Sequence, residues 1–186
     1  MASKISICSQ ALLMVGDRPI ASFDEGNDRA MLCSNLYEDA RRATLRAHPW
    51  NCAIKRDTLA PTSTAPAYEY SYAFNLPADC LRVLSIGDDN SAEYKIEGRQ
   101  ILYDDNTLPI RYIFDNTDEN SFDALLIEAI TFQMASRMAY PIAKSASLQQ
   151  QLQSLYADVL KRAQGVDAQE DTPEEFGDTP LISVRY

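Results

Sequence analysis

The apolar positions of this chain switch from helical to alternating spacing and back again. Ile5, Cys8, Leu12 and Val15 recur at helical spacing and stop at Gly16, where Gly-Asp-Arg-Pro marks a chain reversal. Asn27 or Asp28 is placed to cap a second helix running to about His48, with Leu32, Leu36, Ala40, Ala43 and Ala47 on one stripe. Pro49 ends it. Trp50, Cys52 and Ile54 then alternate with polar or small residues as a strand does, before a Pro/Thr/Ala stretch at 57–67 that reads as a loop. Tyr68, Tyr70, Tyr72, Phe74 and Leu76 alternate over nine residues, predicting a strand with aromatic residues on one face. Short strands are expected at 81–86, 92–97, 99–103 and 108–114, separated by turn residues, as one small antiparallel sheet.

Helical spacing returns with Ile127, Ile130, Met134 and Met138, capped by Asn120 or Ser121 and stopped by Pro141. Ser147 and Gln150 have capping-box spacing, and Leu148, Leu152, Leu155 and Val159 carry a fourth helix to Gly165. The order predicts a mainly α chain of the α+β class: a four-helix bundle with a small antiparallel β subdomain inserted between helices 2 and 3, and an extended C-terminal tail. The expected segments are 1–48 and 119–165 for the bundle, 49–118 for the insert and 166–186 for the acidic tail.

Length and charge narrow the function classes. The 186 residues suit one domain by the usual prior of roughly 100–200. The 17 Lys and Arg face 27 Asp and Glu, a net charge of -10, which disfavours any binder that collects nucleic acid by charge. By segment, the net charge is +2 over 1–56, -7 over 57–118, 0 over 119–165 and -5 over 166–186. The acidity therefore sits in the insert and the tail. The first residues lack the unbroken apolar run of a secretory signal, and no stretch approaches the ~20 apolar residues of a membrane span. Cys8, Cys33, Cys52 and Cys80 contain no CxxC pair and the chain has a single histidine, so no structural zinc site and no cofactor are expected. Reduced thiols packed in a core are the plain reading.

Candidate chemistry is sparse. His48 is the one histidine for any Ser-His or Cys-His pair, but at a helix end it reads first as a cap. No phosphate-cradling glycine loop or HExxH occurs. The carboxylate groups Asp24-Glu25 with Asp28, Asp88-Asp89 and Asp104-Asp105 sit in turn contexts; acid/base work as in a cell-wall hydrolase is the rival use of Asp24, Glu25, Asp104 and Asp105. Tyr68, Tyr70 and Tyr72 offer either a packed sheet face or a platform for stacking sugars or bases. Arg41, Arg42, Arg46, Lys55 and Arg56 form the basic cluster. It reads as a solvated face or as an inter-subunit contact, for example with acidic residues 167–178 of a neighbour. Leu181, Ile182, Val184 and Tyr186 follow the acidic stretch as an apolar peptide suited to docking by strand addition.

The strings themselves carry a resemblance. The run Gly16-Asp17-Arg18-Pro19-Ile20-Ala21-Ser22-Phe23-Asp24-Glu25-Gly26-Asn27-Asp28-Arg29-Ala30, then Leu45-Arg46-Ala47-His48-Pro49-Trp50-Asn51, resembles the head-to-tail adaptor family of tailed bacteriophages, also called tail tubular protein A-like. So do Leu76-Pro77-Ala78-Asp79-Cys80-Leu81-Arg82-Val83, the Gly98-Arg99 turn, and Ala139-Tyr140-Pro141 leading into Ser145-Ala146-Ser147-Leu148, all in the family's order over about residues 9–170. Cys52 departs from the aromatic residue of the pattern after Trp-Asn. The resemblance implies a non-enzymatic virion part, assembled in the host cytoplasm at the head-tail junction. It implies a ring, typically of twelve copies, between portal protein and tail tube or nozzle, through which genomic DNA passes without specific binding and with no membrane involved. A tail-completion or terminator protein is the nearest alternative.

Overall fold

Ser3 opens the first helix with a reciprocal cap: its hydroxyl accepts from the Ser6 amide while the Ser6 hydroxyl accepts from the Ser3 amide. The computed structural model describes residues 2–87 and 93–170. Helix α1 (Lys4–Met14) buries Ile7, Cys8, Ala11 and Leu12, and Gly16 turns the chain at a φ of 81°, where a side chain would be strained. Asn27 caps α2 (Asp28–Ala47) through the Ala30 amide at 2.8 Å. Asp28 and Arg46 stand in its first and last turns, where each sign suits the helix dipole.

A 3-10 turn at Asn51–Ala53 leads into β1 (Ile54–Leu59), followed by β2 (Tyr72–Asn75), β3 (Cys80–Ile86), β4 (Lys95–Glu97), β5 (Gln100–Tyr103) and β6 (Leu108–Phe114). These strands make two antiparallel three-stranded sheets, β1-β6-β3 and β2-β5-β4, instead of the one expected. Asp123 then caps α3 (Ala124–Ala143) through the Leu126 amide at 2.6 Å, and the Ser145 hydroxyl caps α4 (Ala146–Glu170) through the Leu148 amide at 3.2 Å. The α+β class and the β insert between the second and third helices are as read from the pattern.

The other three helices all pack against α3, while α1 and α2 touch each other only slightly. Ala30, Cys33 and Ala40 face inward on α2, and such small residues let α3 approach closely. Two cores result. One joins the helices to Trp50, Ala53 and Ile113; the other lies between the sheets and holds Phe74, Ile101, Ile86, Leu108, Ile110 and Tyr112. Strand β6 serves both, because Ile110 and Tyr112 share one face and Ile113 takes the other. No helix among the described residues is long and apolar enough to cross a membrane.

Several expectations are corrected by local physics. The 3-10 turn displaces the strand expected from Trp50, which begins at Ile54 and runs through 57–59 of the expected loop. The nine-residue aromatic strand shrinks to Tyr72–Asn75, because Glu69 adopts a φ of 70° and the Tyr70 amide bonds back to the Tyr68 carbonyl at 2.9 Å. That γ-turn breaks the two-residue alternation. The cap of α3 is Asp123, not Asn120 or Ser121, which lie in a 3-10 turn at Glu119–Ser121. Pro141 sits inside the last turn of α3 at an exposed position, and Lys144 in the left-handed region ends the helix instead. Gly165 does not stop α4, which continues to Glu170 and shortens the expected tail at its start. The buried residues of α2 are Ala30, Cys33, Tyr37, Ala40, Arg41, Thr44 and Leu45, a stripe rotated from the expected one, so that Leu32, Leu36 and Ala43 are half-buried and Ala47 exposed.

Candidate functional site

The expected basic cluster lies at the joint between α2 and the first sheet, where Arg41 is buried and the other four are exposed. Arg41 is 0% exposed and its Nη2 donates to Glu38 at 2.6 Å and Asp115 at 2.7 Å. Arg42, the next residue around the helix, donates from Nε to the other oxygen of Asp115 at 2.8 Å. One carboxylate at the end of β6 therefore holds two guanidinium groups of α2. Arg46 donates to the Leu81 carbonyl on β3. Lys55 donates to Asp79 at 2.7 Å and lies 4.6 Å from the centre of the Phe114 ring. Arg56 is also exposed on β1, opposite Arg111 in the ladder.

Burial opposes the charge on Asp79, but the Lys55 ammonium and the Tyr112 hydroxyl outweigh it and hold the carboxyl below its usual range. The same contact, with burial first, raises Tyr112 to about 12. The Asp115 amide donates to the Asp79 carbonyl at 2.8 Å, which places the two acidic residues side by side at the joint. Arg41 therefore has no surface to offer a neighbouring subunit, and Arg42, Arg46 and Lys55 are engaged within their own chain.

The other candidates separate. His48 is the C-cap residue of α2 and packs edge-on against Trp50, ring centres 5.0 Å apart. Glu25 accepts from the Ala21 amide, from Asn27 and from the Ser22 amide, which hold its carboxyl below the usual range and lock the loop before α2. A carboxylate so held is poorly suited to donate a proton. Asp104 accepts from the Ser71 amide at 2.9 Å and hydroxyl at 3.1 Å, tying the segment before β2 to the turn after β5. Asp88-Asp89 lies outside the described residues, as do Leu181, Ile182, Val184 and Tyr186. Among the described residues, no group of three or more His, Cys, Asp or Glu is placed to hold a metal.

The aromatic residues of the expected strand divide: Phe74 is buried, Tyr70 half-buried and Tyr72 exposed, whereas Tyr68 is 76% exposed beyond the γ-turn. Spacing alone misses two arrangements. The side chains of Cys8 and Cys33 meet in the core, where hydrogen bonding from Cys33 and burial push the Cys8 thiol up. Arg41 is the second; the signal for it is that 30, 33, 37, 41 and 44 make one helical stripe once a charged residue is allowed on it.

Acid should weaken the fold through groups spread over these loops. Asp17, Glu25 and Asp79 all have depressed carboxyls in the folded chain. Their contribution is complete above the unfolded carboxylate value of about 4 and is lost as pH falls through the lower folded values. Melting temperature measured from pH 6 to pH 3 should therefore fall, and Asp79→Asn should start lower and fall less.

The chain matches no protein-family model and no curated protein.

Proposed function

We propose that this chain is a structural head-to-tail adaptor of a tailed bacteriophage, a ring subunit that connects a portal to a tail and continues the DNA channel. The observation that carries the reading is the ordered set of strings over about residues 9–170 that resembles that family. Their positions support a shared architecture. Gly16–Ala30 forms the α1–α2 connection and the start of α2, tied by the Ser9 hydroxyl to the Ile20 carbonyl at 2.9 Å and by Arg29 to Asp17 at 3.1 Å. The Cys33–Met138 sulfur contact at 4.0 Å puts that connection at the same end as the α3–α4 corner, residues 139–148. The strings 45–51, 76–83 and 98–99 meet at the joint, through Arg46 with Leu81 and through Arg99 with the Pro77 carbonyl at 2.5 Å.

An adaptor works by geometry. Copies close a ring through one contact repeated by rotation, typically twelve times, and each ring face fits a different partner. The net charge of -7 over residues 57–118 suits a lumen along which DNA slides without sticking. Leu181, Ile182, Val184 and Tyr186 would dock on the portal or on a neighbouring copy.

Electron microscopy of the full chain mixed with portal protein tests this: rings seated on the portal are expected, and no ring or portal complex would overturn it. A seat on the tail side alone would identify a tail-completion protein. Deletion of 179–186 should weaken portal binding by roughly tenfold or more at an unchanged melting temperature. Unchanged affinity would remove those four residues from docking.

A further inference from the structure

The outer face of the second sheet carries a cleft of about 330 Å³. That is the low end of the usual size for a small-molecule site. Its floor is Ala73 of β2 with Leu102 and Gln100 of β5, residues that share this face by register. The segment Thr64–Ala67 forms the wall, held over the sheet by the Thr62 amide, which donates to the Ala73 carbonyl at 2.7 Å. Tyr68, Glu69 and Glu97 complete the rim.

Three features give this cleft a chemical preference. Tyr68 is 76% exposed, and the γ-turn at Glu69 that holds it there is a strained conformation for a residue with a side chain. Lys95 reaches both carboxylates, Glu97 at 3.3 Å and Glu69 at 3.8 Å, leaving one net negative charge at the rim. Phosphate and sulfate groups are therefore repelled, and a cation meets an ammonium already in place. Gln100 donates to Asn75 at 2.9 Å, which fixes the orientation of its amide.

We propose that this cleft binds a neutral saccharide, with Tyr68 stacked on the C–H face of a pyranose ring and its hydroxyl groups bonded to Glu69, Glu97 and Gln100. The negative face of the aromatic ring attracts polarised C–H groups. Carboxylate and amide side chains take adjacent sugar hydroxyls, as acceptors and as a paired donor and acceptor. An apolar floor of Ala73 and Leu102 fits the remaining ring carbons. Stacked nucleobases would bring phosphates against Glu69 and Glu97. The site is independent of any ring or portal, so it stands or falls apart from the adaptor reading.

Titration calorimetry of the full chain with maltohexaose, with chitohexaose, with a sulfated hexasaccharide and with hexalysine tests it. At least one neutral sugar should bind, with Tyr68→Ala lowering its affinity by roughly tenfold or more and Tyr68→Phe holding it within about threefold. The exposed Tyr68 lets the alanine variant fold with an unchanged melting temperature, and Tyr140→Ala, removing another exposed tyrosine, should bind as the parent does. No binding of either neutral sugar at about 10 mM, binding indifferent to Tyr68→Ala, or preference for the sulfated or cationic probe would overturn the proposal.

Discussion

Replacing Asp115 with alanine should destabilise the protein by about 3–5 kcal/mol, the range for removing one partner of a buried ion pair. Arg41 is fully buried and has its Nη2 on Asp115 and Glu38, while its Nε and Nη1 have no partner among the described residues. Without Asp115 the guanidinium keeps one carboxylate, Glu38, which is itself half in water. Arg41→Met should cost less, since methionine fills much of the space and leaves Asp115 with Arg42. Arg42→Ala should cost at most about 1 kcal/mol, because that guanidinium is exposed and screened. Urea denaturation of the three variants at neutral pH gives the order. A loss for Asp115→Ala no larger than for Arg42→Ala would mean that the buried pair is not what joins α2 to the sheet.

Trp50→Ala should be comparably severe, about 3–5 kcal/mol for a large buried aromatic side chain. Trp50 is 0% exposed, packs on His48 and donates from Nε1 to the Thr44 carbonyl at 3.0 Å, one turn before α2 ends. Alanine leaves a cavity between helix and sheet and removes the indole's hydrogen bond to the Thr44 carbonyl. Phenylalanine keeps much of the packing and loses the hydrogen bond, so about 1–3 kcal/mol is expected for Trp50→Phe. Circular dichroism during denaturation reads these variants, since Trp50 is the sole tryptophan and its fluorescence disappears with it. In the parent chain that fluorescence should shift to the red on unfolding, as the ring passes from a buried site to water.

Helices were legible where polar punctuation and apolar spacing agree. Gly16 and Asn27 bracket the first connection as their chemistry requires, and β3 and β6 fall within a residue of the expected strands. Failures arise where one backbone torsion or one tertiary contact decides. A single residue, Glu69, in the left-handed region ends an otherwise good strand pattern, and nothing in the letters Tyr-Glu-Tyr announces it. Gly165 was expected to stop α4, yet glycine costs a helix only about 1 kcal/mol and buried Ala163 anchors the helix just before it. Arg41 reads from the letters as part of a solvated face or an inter-subunit contact; Asp115, 74 positions away, is what makes its burial tolerable. Of the candidate site, the five basic positions were legible as a group, but their inward ties to Asp79, Leu81 and Asp115 depend on the sheet being folded against α2.

The pairing of Ile54 with Ile113 also fixes how the two halves of the helical layer are spliced. Residues opposite each other in an antiparallel ladder lie about 5 Å apart, so the insert leaves and rejoins the helices through one narrow doorway. Seen from α2 and α3, the chain of the insert enters and leaves as a short hairpin would, with β3 as a further support beside it through Arg46 and the Leu81 carbonyl. Loops beyond the doorway can lengthen or shorten without turning the helix axes. The outer sheet is thus open to variation that the helices never register.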